Sequence, residues 1–250
     1  MNSINLIKTI GLVLVSGTFF ILGGCQNIKG MDVGLATSAG LDAFKAATLS
    51  DEEVVNEAKK AIQEYDTKNQ IDQGKYAKRL KKLTKDMTNE EGLQLNYKAY
   101  LTDEVNAFAM ADGSIRVYSG LMDLMEDEEL LAVIGHEMGH VKHGHSKKAY
   151  QMAYAASAAR KGVAAQNTVA GQVAESQLGE IMEKVINAKF SQSEESESDN
   201  YALGFMKKHR YNPKSLVSSL KKLGNTGGGF FSSHPNSQER AARIAAQLNH

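Results

Sequence analysis

The sequence predicts an α+β fold that is predominantly helical and contains one small antiparallel sheet. Strand signals cluster between residues 93 and 118, around Asp112-Gly113, the best two-residue hairpin signal in the chain. Helical periodicity precedes this region from Ser50 onward and returns after it in nearly every segment. With 250 residues, 42% of them hydrophobic, the chain is long enough for one or two domains with hydrophobic cores.

Charge and cysteine content exclude two classes of protein. Lysine and arginine total 29, as do aspartate and glutamate, so the net charge is zero and no nucleic-acid partner is expected. The single cysteine, Cys25, rules out a disulfide framework within the chain.

The first 25 residues have the outline of a bacterial lipoprotein signal. The segment MNSINLIKTIGLVLVSGTFFILGGC has Lys8 near its start and an apolar run too short for a comfortable membrane-spanning helix. Its ending, LGGC, resembles a lipobox, in which cleavage precedes the cysteine and the thiol is acylated. We predict a signal peptide at 1–24 and lipidation of Cys25; an uncleaved anchor and a plain signal peptide are the alternatives. Gln26 follows the cysteine, which implies outer-membrane sorting in a Gram-negative cell, with the protein facing the periplasm.

The elements before the hairpin follow from short patterns. Residues 25–48 are Gly/Ala-rich and weakly patterned, which predicts a lipidated tether ahead of a folded domain at 49–250. Ser50 and Glu53 have the spacing of a capping box and open the first predicted helix. The segment YAKRLKKLTKDM fits a second, amphipathic helix.

After the hairpin, a helix is predicted over 127–142, with Asp127 as its N-cap. The Ala/Gly-rich stretch beyond it contains Arg160 and Lys161, so we predict a soluble helix and a mobile loop there rather than a membrane span. Residues 150–178 and the glycine-rich loop 224–231 are candidates to cover a cleft as lids.

The segment LLAVIGHEMGHVKHGH contains the strongest chemical signature. His136 and His140 are four residues apart, so their imidazoles project from one face of the helix and can share one ion. Glu137 lies about 100° further round the helix, beside that ion, where its carboxylate can accept a proton from the attacking water. The spacing predicts one zinc ion per chain, two of its ligands and a general base.

A catalytic zinc ion usually takes three protein ligands and leaves a fourth position to water. The metzincin pattern does not supply the third ligand, because it requires glycine at 143 and histidine at 146, where this chain has His143 and Ser146. His143 is on the stripe of the two ligand histidines, but three consecutive turns of a straight helix do not easily converge on one ion. We expect His143 and His145 to lie behind the ligands, at the helix end or on the surface.

The other candidates for the third ligand lie in a helix predicted over 181–209. Glu195 and Asp199 are four residues apart on its apolar stripe, where carboxylates are costly unless they are paired or bind a metal. Glu195 as zinc ligand and Asp199 as the acceptor that orients a ligand histidine would explain both. Glu194 or Glu197 in place of Glu195, or a solvated acidic face, are the alternatives.

Together, HEMGH and ESESD resemble the His-Glu-x-x-His and Glu-x-x-x-Asp motifs of gluzincin metallopeptidases. The segments NAFAMADGSIRVYSGLM and SHPNSQERAARI narrow the resemblance to the branch of HtpX, Oma-type and BepA-like proteases, and within it to LoiP-type outer-membrane lipoprotein proteases. The resemblance covers roughly residues 50 to 250. It implies a zincin-like metallopeptidase domain, with the small sheet beside the zinc helix.

The resemblance also implies a role for each matching residue. His136, His140 and Glu195 would bind zinc, Glu137 would be the general base, Asp199 the supporting carboxylate, and His234 and Arg240 the motif near the active site, with His234 stabilising the oxyanion. Ser196 and Ser198 stand where the family often has alanines; both are small, so the register is kept. The strand Asn106, Ala107, Phe108 and Ala109 is either a core strand or an exposed edge on which an extended substrate pairs.

The function that these patterns favour is a membrane-anchored zinc endopeptidase acting on misfolded or unassembled envelope polypeptides. The substrate class follows from the resemblance alone. Other envelope proteases or assembly factors are candidate partners, the membrane is reached through Cys25, and nucleic acid is excluded. The alternatives are a zinc-stabilised periplasmic chaperone or assembly lipoprotein with little turnover, and a structural lipoprotein with incidental histidines.

Overall fold

A computed structural model describes residues 33–166, 177–226 and 229–249. These residues form eleven helices and five strands. In chain order they are α1 (Val33–Thr48), α2 (Asp51–Lys68), α3 (Lys75–Thr84), β1 (Asn89–Glu90), β2 (Leu93–Gln94), β3 (Asn96–Tyr100), β4 (Ala107–Ala109), β5 (Ser114–Tyr118), α4 (Ser119–Leu124), α5 (Asp127–Lys142), α6 (His145–Gln166), α7 (Gln177–Ile186), α8 (Gln192–Lys208), α9 (Lys214–Leu223), α10 (Phe230–Ser233) and α11 (Ser237–Leu248). The predominantly helical α+β prediction is confirmed.

The main sheet has three strands in the order β3-β5-β4, and it is mixed rather than antiparallel. The β4–β5 hairpin is antiparallel, but β3 pairs with β5 in parallel, so that part of the prediction is wrong. After β3 the chain crosses to the far side of β5 before it forms β4, and local sequence does not encode that crossing. The hairpin loop is one residue longer than predicted, because Met110 donates to Ser114 across residues 111–113. Gly113 ends this loop at φ +86°, a left-handed conformation that favours glycine.

Every residue of β5 is buried, because the sheet is covered on both faces. Ile115 and Val117 face one core, built with α5, α8, α9 and α11. Arg116 and Tyr118 alternate with them, and Tyr118 faces a second core built with α2, α6 and α7. Between these cores, α5 lies close to the short edge strand β4.

Part of the predicted tether is helical. Residues 33–48 form α1, which packs antiparallel against α6, while residues 25–32 and the signal peptide lie outside the described residues. Asp42 of α1 is buried and accepts from Lys161 Nζ at 2.7 Å and Ser157 Oγ at 2.7 Å. The small residues that made this segment look unstructured allow the two helices to pack closely.

Two helix boundaries also differ from the sequence prediction. The N-cap of α5 is Glu126, which forms a capping box with Glu129, so Asp127 is the first helical residue instead. The helix predicted over 181–209 is two helices, α7 and α8, separated by residues 187–191. Ser191 starts α8 anew through a capping box with Glu194. The capping box predicted at Ser50 and Glu53 is present in the structure.

Candidate metal centre and active site

Two glycines bring α5 and α8 close enough for their side chains to share one site. A Cβ atom on Gly139 would lie 2.8 Å from the Cα atom of Ser198, and a Cβ atom on Gly135 would lie 2.8 Å from the ring of Phe205. Helix α5 thus presents its histidines directly to the acidic turn of α8.

Four buried side chains converge between these helices and α10: His136, His140, Glu195 and His234. One ligand atom from each lies within 4.8 Å of all the others. The Nε2 atoms of His136 and His140 are 3.0 Å apart, and each lies 3.5 Å from an oxygen of Glu195. His234 Nδ1 is 3.2 Å from His136 Nε2 and 2.9 Å from Glu195 Oε1.

The donor set fits a zinc ion. Imidazole nitrogens and a carboxylate oxygen are ligands that zinc binds readily. Donors around a tetrahedral zinc ion lie roughly 3.3 Å apart when the bonds are about 2.05 Å long. The separations of 3.0 to 3.5 Å between the atoms of His136, His140 and Glu195 bracket that value. These three residues are the zinc ligands predicted from the sequence and its family resemblance.

Glu137 lies beside the cluster and its carboxylate is almost completely buried. Its Oε1 atom has no hydrogen-bond donor among the described residues, and His234 Nε2 lies 3.5 Å away. Burial raises the pKa of Glu137 to about 7, and Glu195 adds to this effect, while His234, Arg240 and a backbone hydrogen bond from Ala109 oppose it. A carboxyl group with such a pKa can both accept and return a proton near neutral pH.

Asp199 holds the far side of the His136 ring. Its Oδ1 atom lies 3.1 Å from His136 Nδ1, and Arg240 binds both carboxylate oxygens, at 2.6 and 2.9 Å. Burial alone would raise the pKa of Asp199, but the hydrogen bonds from Arg240 and His136 outweigh it and hold that pKa well below its usual range. The ionised carboxylate only accepts hydrogen bonds, so the proton of His136 lies on Nδ1 and the Nε2 lone pair faces the cluster.

Arg240 joins the two carboxylates, because it also forms an ion pair with Glu195. Burial would raise the pKa of Glu195, but the charges and hydrogen bonds of His234, His140 and His136 keep it far below its usual range. Arg240 therefore balances two buried negative charges, one on the candidate ligand Glu195 and one on Asp199 behind the His136 ring.

His234 lies near the candidate active site, as the family resemblance implied, with its Nε2 atom 3.5 Å from Glu137 Oε1. Its Nδ1 atom also lies among the ligand atoms of His136, His140 and Glu195. The ring is held by Phe230, whose centroid is 4.1 Å away, and Phe190 stacks on His140 at 3.8 Å. The sequence reasoning missed both phenylalanines, which only the fold brings to the histidines.

The other acidic candidates have separate partners. Glu194 caps α8 and pairs with Lys148 at 2.9 Å, while Glu197 lies 3.0 Å from His145 Nε2. His145 is buried, and its Nδ1 atom lies 3.0 Å from His140 Nδ1. His143 is exposed and ends α5. The expectation that His143 and His145 lie behind the ligands or at the helix end matches their placement.

Strand β4 is an edge strand that borders the site. Tyr118 donates to Asn106, and Met110 donates to Ser114, so the intervening residues Ala107 and Ala109 direct their backbone groups away from β5. The Ala107 N–H is bonded to the Asn106 side chain, and the backbone of Ala109 bonds the Glu137 carboxylate. Phe108 is buried in the second core. The strand is thus both a core element and an edge beside the candidate base.

Of the two predicted lids, residues 167–176 and 227–228 lie outside the described residues. Beyond the second gap, Phe230 donates its N–H to the Val105 carbonyl at 3.0 Å, just ahead of β4. Cys25 also lies outside the described part of the chain. No helix within that part is long and apolar enough to span a membrane.

Comparison with known proteins gives near full-length matches. Residues 75–248 match the model of Peptidase family M48. The chain is 45% identical over 244 residues to Metalloprotease YcaL of Escherichia coli (strain K12), which covers 95% of this chain and 96% of that protein. It is 41% identical over 249 residues to Metalloprotease LoiP of the same organism, at 97% and 98% coverage. Mitochondrial metalloendopeptidase OMA1 of Arabidopsis thaliana is 30% identical over 153 residues, 58% of this chain and 30% of that protein.

Proposed function

The chain belongs to peptidase family M48, and we propose that this metalloprotease uses one zinc ion to hydrolyse peptide bonds in misfolded or unassembled proteins of the bacterial cell envelope. The observation that carries the proposal is the convergence of His136, His140 and Glu195 on one point, with the buried carboxylate of Glu137 beside it. The names of YcaL and LoiP support the metalloprotease activity; the substrate class and the location rest on the sequence motifs.

In this proposal His136, His140 and Glu195 hold the zinc ion. When bound, zinc supplies a Lewis acid that polarises the scissile carbonyl and makes a water molecule acidic enough to attack near neutral pH. Asp199 and Arg240 keep the Nε2 lone pair of His136 directed at the cluster.

Glu137 carries the proton. Its unpartnered Oε1 atom is placed to accept the proton of the attacking water and later to donate it to the leaving amine. His234 Nε2 lies on the same side, 3.5 Å from that oxygen. We propose that the His234 ring donates to the oxyanion, as its family motif implies.

The substrate is proposed to add a strand to β4. The outward N–H groups of Ala107 and Ala109 bond the side chains of Asn106 and Glu137, so their carbonyl groups are the acceptors that the sheet edge offers to a substrate strand. An extended polypeptide that pairs there would bring a peptide bond close to the base without any requirement for a particular side chain. This suits unfolded substrates, whose backbone is free to pair.

The chain is further proposed to be anchored to the outer membrane by a lipid on Cys25 and to face the periplasm. The support is the LGGC ending of its apolar N-terminal segment. Replacing Cys25 with serine should abolish labelling of the protein by radioactive palmitate and remove it from the outer-membrane fraction. Palmitate labelling of the Cys25→Ser protein equal to that of the wild type would contradict the lipid anchor.

The four-residue ligand cluster also fits the alternative function, a zinc-stabilised assembly factor. Structural zinc sites are closed by four protein ligands, and here His234 completes such a set. Family membership and the unpartnered Glu137 oxygen favour catalysis over that alternative.

The test of the proposed activity uses the purified mature chain and a permanently unfolded protein substrate. We expect cleavage that a chelator abolishes and zinc restores, and at least a ~100-fold slower rate for Glu137→Gln. Glu183→Gln, on the exposed side of α7, is the matched control and should cleave normally. Cleavage that resists chelation, or equal cleavage by Glu137→Gln, would contradict the proposal.

A further inference from the structure

Large hydrophobic side chains are exposed mainly on one helix pair. Six such side chains are exposed in the described part of the chain, and five of them lie on α1 and α6. On α1 they are Val33, Leu41 and Phe44, with exposed fractions of 65%, 62% and 66%. Exposed hydrophobic residues that cluster in this way mark a contact surface, whereas scattered ones need no explanation.

The three α1 side chains share one face of their helix. At 100° per residue, Val33, Leu41 and Phe44 fall within an arc of about 80°, and Asp42 lies on the opposite side. The two charged residues of α1 are both turned to protein partners: Asp42 is buried against Lys161, and Lys45 pairs with Glu57 at 3.0 Å. The exposed side of α1, here called the α1 face, therefore carries no unpaired charge; Lys45 at its edge is 44% exposed and paired with Glu57.

The position of α1 in the chain, close to Cys25, indicates that the α1 face contacts the bilayer. Val33 is eight residues after Cys25, and eight extended residues span at most about 28 Å. If Cys25 carries a lipid, the first residue of α1 cannot lie more than about 28 Å from the bilayer surface. The buried Asp42–Lys161 ion pair fixes the rotation of α1 on the domain, so the face points in one direction.

We propose that the α1 face lies on the surface of the bilayer that holds the lipidated Cys25, with Leu41 and Phe44 inserted between headgroups and acyl chains. This rests on the lipid anchor of the proposed function. It goes further, because it gives the catalytic domain a fixed orientation on the membrane. Since the only basic residue of α1, Lys45, is already paired with Glu57, apolar burial drives the contact, and anionic lipid is not required.

The chain contains no tryptophan, so Phe44→Trp creates a single fluorescent reporter on the α1 face. The mature, full-length variant is reconstituted in phosphatidylethanolamine/phosphatidylglycerol vesicles with and without brominated acyl chains. Ala246→Trp, on the exposed side of α11, is the matched control. We expect a blue-shifted emission and at least about threefold quenching by brominated lipid for Phe44→Trp only. The quenching should persist in 0.5 M salt, where charges are screened within about 4 Å, because the contact is apolar.

Three results would overturn the proposal. They are no quenching of Phe44→Trp in protein whose acylation is verified by mass spectrometry, equal quenching of Ala246→Trp, and protection of the face by a second copy or by the chain's own residues 167–176, detected by crosslinking. Adding Val33→Asp and Leu41→Asp should abolish the quenching without releasing the anchor. The verified acylation and the chelator-sensitive cleavage, measured on the same samples, show separately whether the anchor and the activity hold.

A second, independent observation concerns His145. Its Nε2 atom lies 3.0 Å from the carboxylate of Glu197, and its Nδ1 atom lies 3.0 Å from His140 Nδ1. A carboxylate only accepts, so the proton of a neutral His145 is on Nε2, and its Nδ1 atom accepts from His140 Nδ1–H. That leaves the Nε2 lone pair of His140 free to face the metal cluster.

The geometry points to Glu197 and His145 as positioning residues that set the tautomer of His140, as Asp199 does for His136. The two ligand histidines are then oriented by carboxylates two residues apart on α8, which project from nearly opposite sides of that helix. Glu197 is a surface residue, so the buried His145 is oriented by a carboxylate that lies outside the core.

The test compares zinc affinity of the chelated full-length protein by competition with a chromophoric chelator. His145→Phe removes the acceptor and should weaken zinc binding about 10- to 100-fold. His145→Gln restores an acceptor and should recover most of that loss, while His143→Phe, at the exposed end of α5, should change nothing. Unchanged affinity in His145→Phe, or equal losses in the Phe and Gln variants, would overturn the proposal. Urea unfolding of the metal-free variants reports any loss of packing separately.

Discussion

Two helix pairs in this molecule bury charge, and they do so in different ways. Between α1 and α6, Asp42 receives hydrogen bonds from Lys161 and Ser157, so one negative charge meets one positive charge. Between α5 and α8, three carboxylates and several histidines share the charge of Arg240, and one oxygen of Glu137 has no donor among the residues that the structure describes. A satisfied buried pair serves packing, whereas an incompletely satisfied cluster is the mark of a chemical site.

The pairs also differ in where their glycines lie. Gly139 of α5 has no space for a Cβ atom, because α8 lies against it. Gly40 of α1 and Gly162 of α6 have open space where a Cβ atom would lie, so neither glycine is required for the α1–α6 contact. The close approach at α5–α8 is required to bring Glu195 to the histidines, while the α1–α6 pair only has to hold one helix on the domain.

The largest effect is expected for Arg240→Met. The change leaves the buried carboxylates of Asp199 and Glu195 without their main positive partner, which should cost about 3–5 kcal/mol in free energy of unfolding. Urea unfolding of the metal-free protein measures this. Arg243→Met is the control: it also contacts Asp199 but is partly exposed, so a loss of about 1 kcal/mol is expected. A loss below about 1 kcal/mol for Arg240→Met would show that the cluster does not depend on it.

Lys161→Met should cost about 3 kcal/mol, because it strands Asp42 in the α1–α6 contact. The double variant Asp42→Leu/Lys161→Met should recover most of that loss, because a well-packed apolar pair can replace a buried ion pair. Both should cleave substrate at the normal rate per folded molecule. A double variant as unstable as the single one, or a loss of activity, would contradict the conclusion that the Asp42–Lys161 pair serves packing alone.

Glycine replacements compare a position at the α5–α8 contact with one in open space on α6. Gly139→Ala forces a Cβ atom against the backbone of Ser198 and should destabilise by about 1–3 kcal/mol while lowering metal affinity. Gly162→Ala, in open space on α6, should stabilise by about 0.5–1 kcal/mol through helix propensity alone. Thermal and urea unfolding give both values. Equal effects at the two positions would mean that the close approach of α5 and α8 is not tightly specified.

The smallest effect expected is a pH dependence of stability at the sheet, where Asp66 binds the buried Arg116 through both oxygens, at 2.8 and 3.0 Å. Burial would raise the pKa of Asp66, but hydrogen bonds from Arg116, Lys98 and Tyr100 lower it below the usual 3.8. The folded protein therefore holds the charged form more strongly than the unfolded chain does. This contribution is complete above that value and is lost as the pH falls through the lower folded pKa. The stability difference between wild type and Asp66→Asn should thus shrink in acid; a difference that grows would contradict the sign.

Local patterns were sufficient for much of the fold and for the nomination of the site. The capping box at Ser50, the bounds of α5 and the hairpin around Gly113 depend on near neighbours in sequence. The i,i+4 spacings placed His136, His140, Glu195 and Asp199 on facing helix stripes, and the structure brings them together.

Features that depend on distant contacts were not readable in this way. The parallel pairing of β3 requires a chain crossing, and α1 is helical partly because Asp42 finds Lys161 more than a hundred residues later. The break before Ser191 is hidden within a continuous helical pattern, and the position of His234 inside the cluster depends on Phe230. His145 was visible in the motif, but its role follows only from its contacts with His140 and Glu197.

The single zinc site is tested most directly by a metal titration of the chelated, full-length protein. Zinc is added in steps while bound metal and cleavage of an unfolded substrate are measured together. We expect activity to rise linearly and to stop rising at one zinc per chain, and Glu195→Ala to bind zinc far more weakly, with no activity at that ratio. Activity without metal, a break at two equivalents, or normal zinc binding by Glu195→Ala would contradict a single site built from His136, His140 and Glu195.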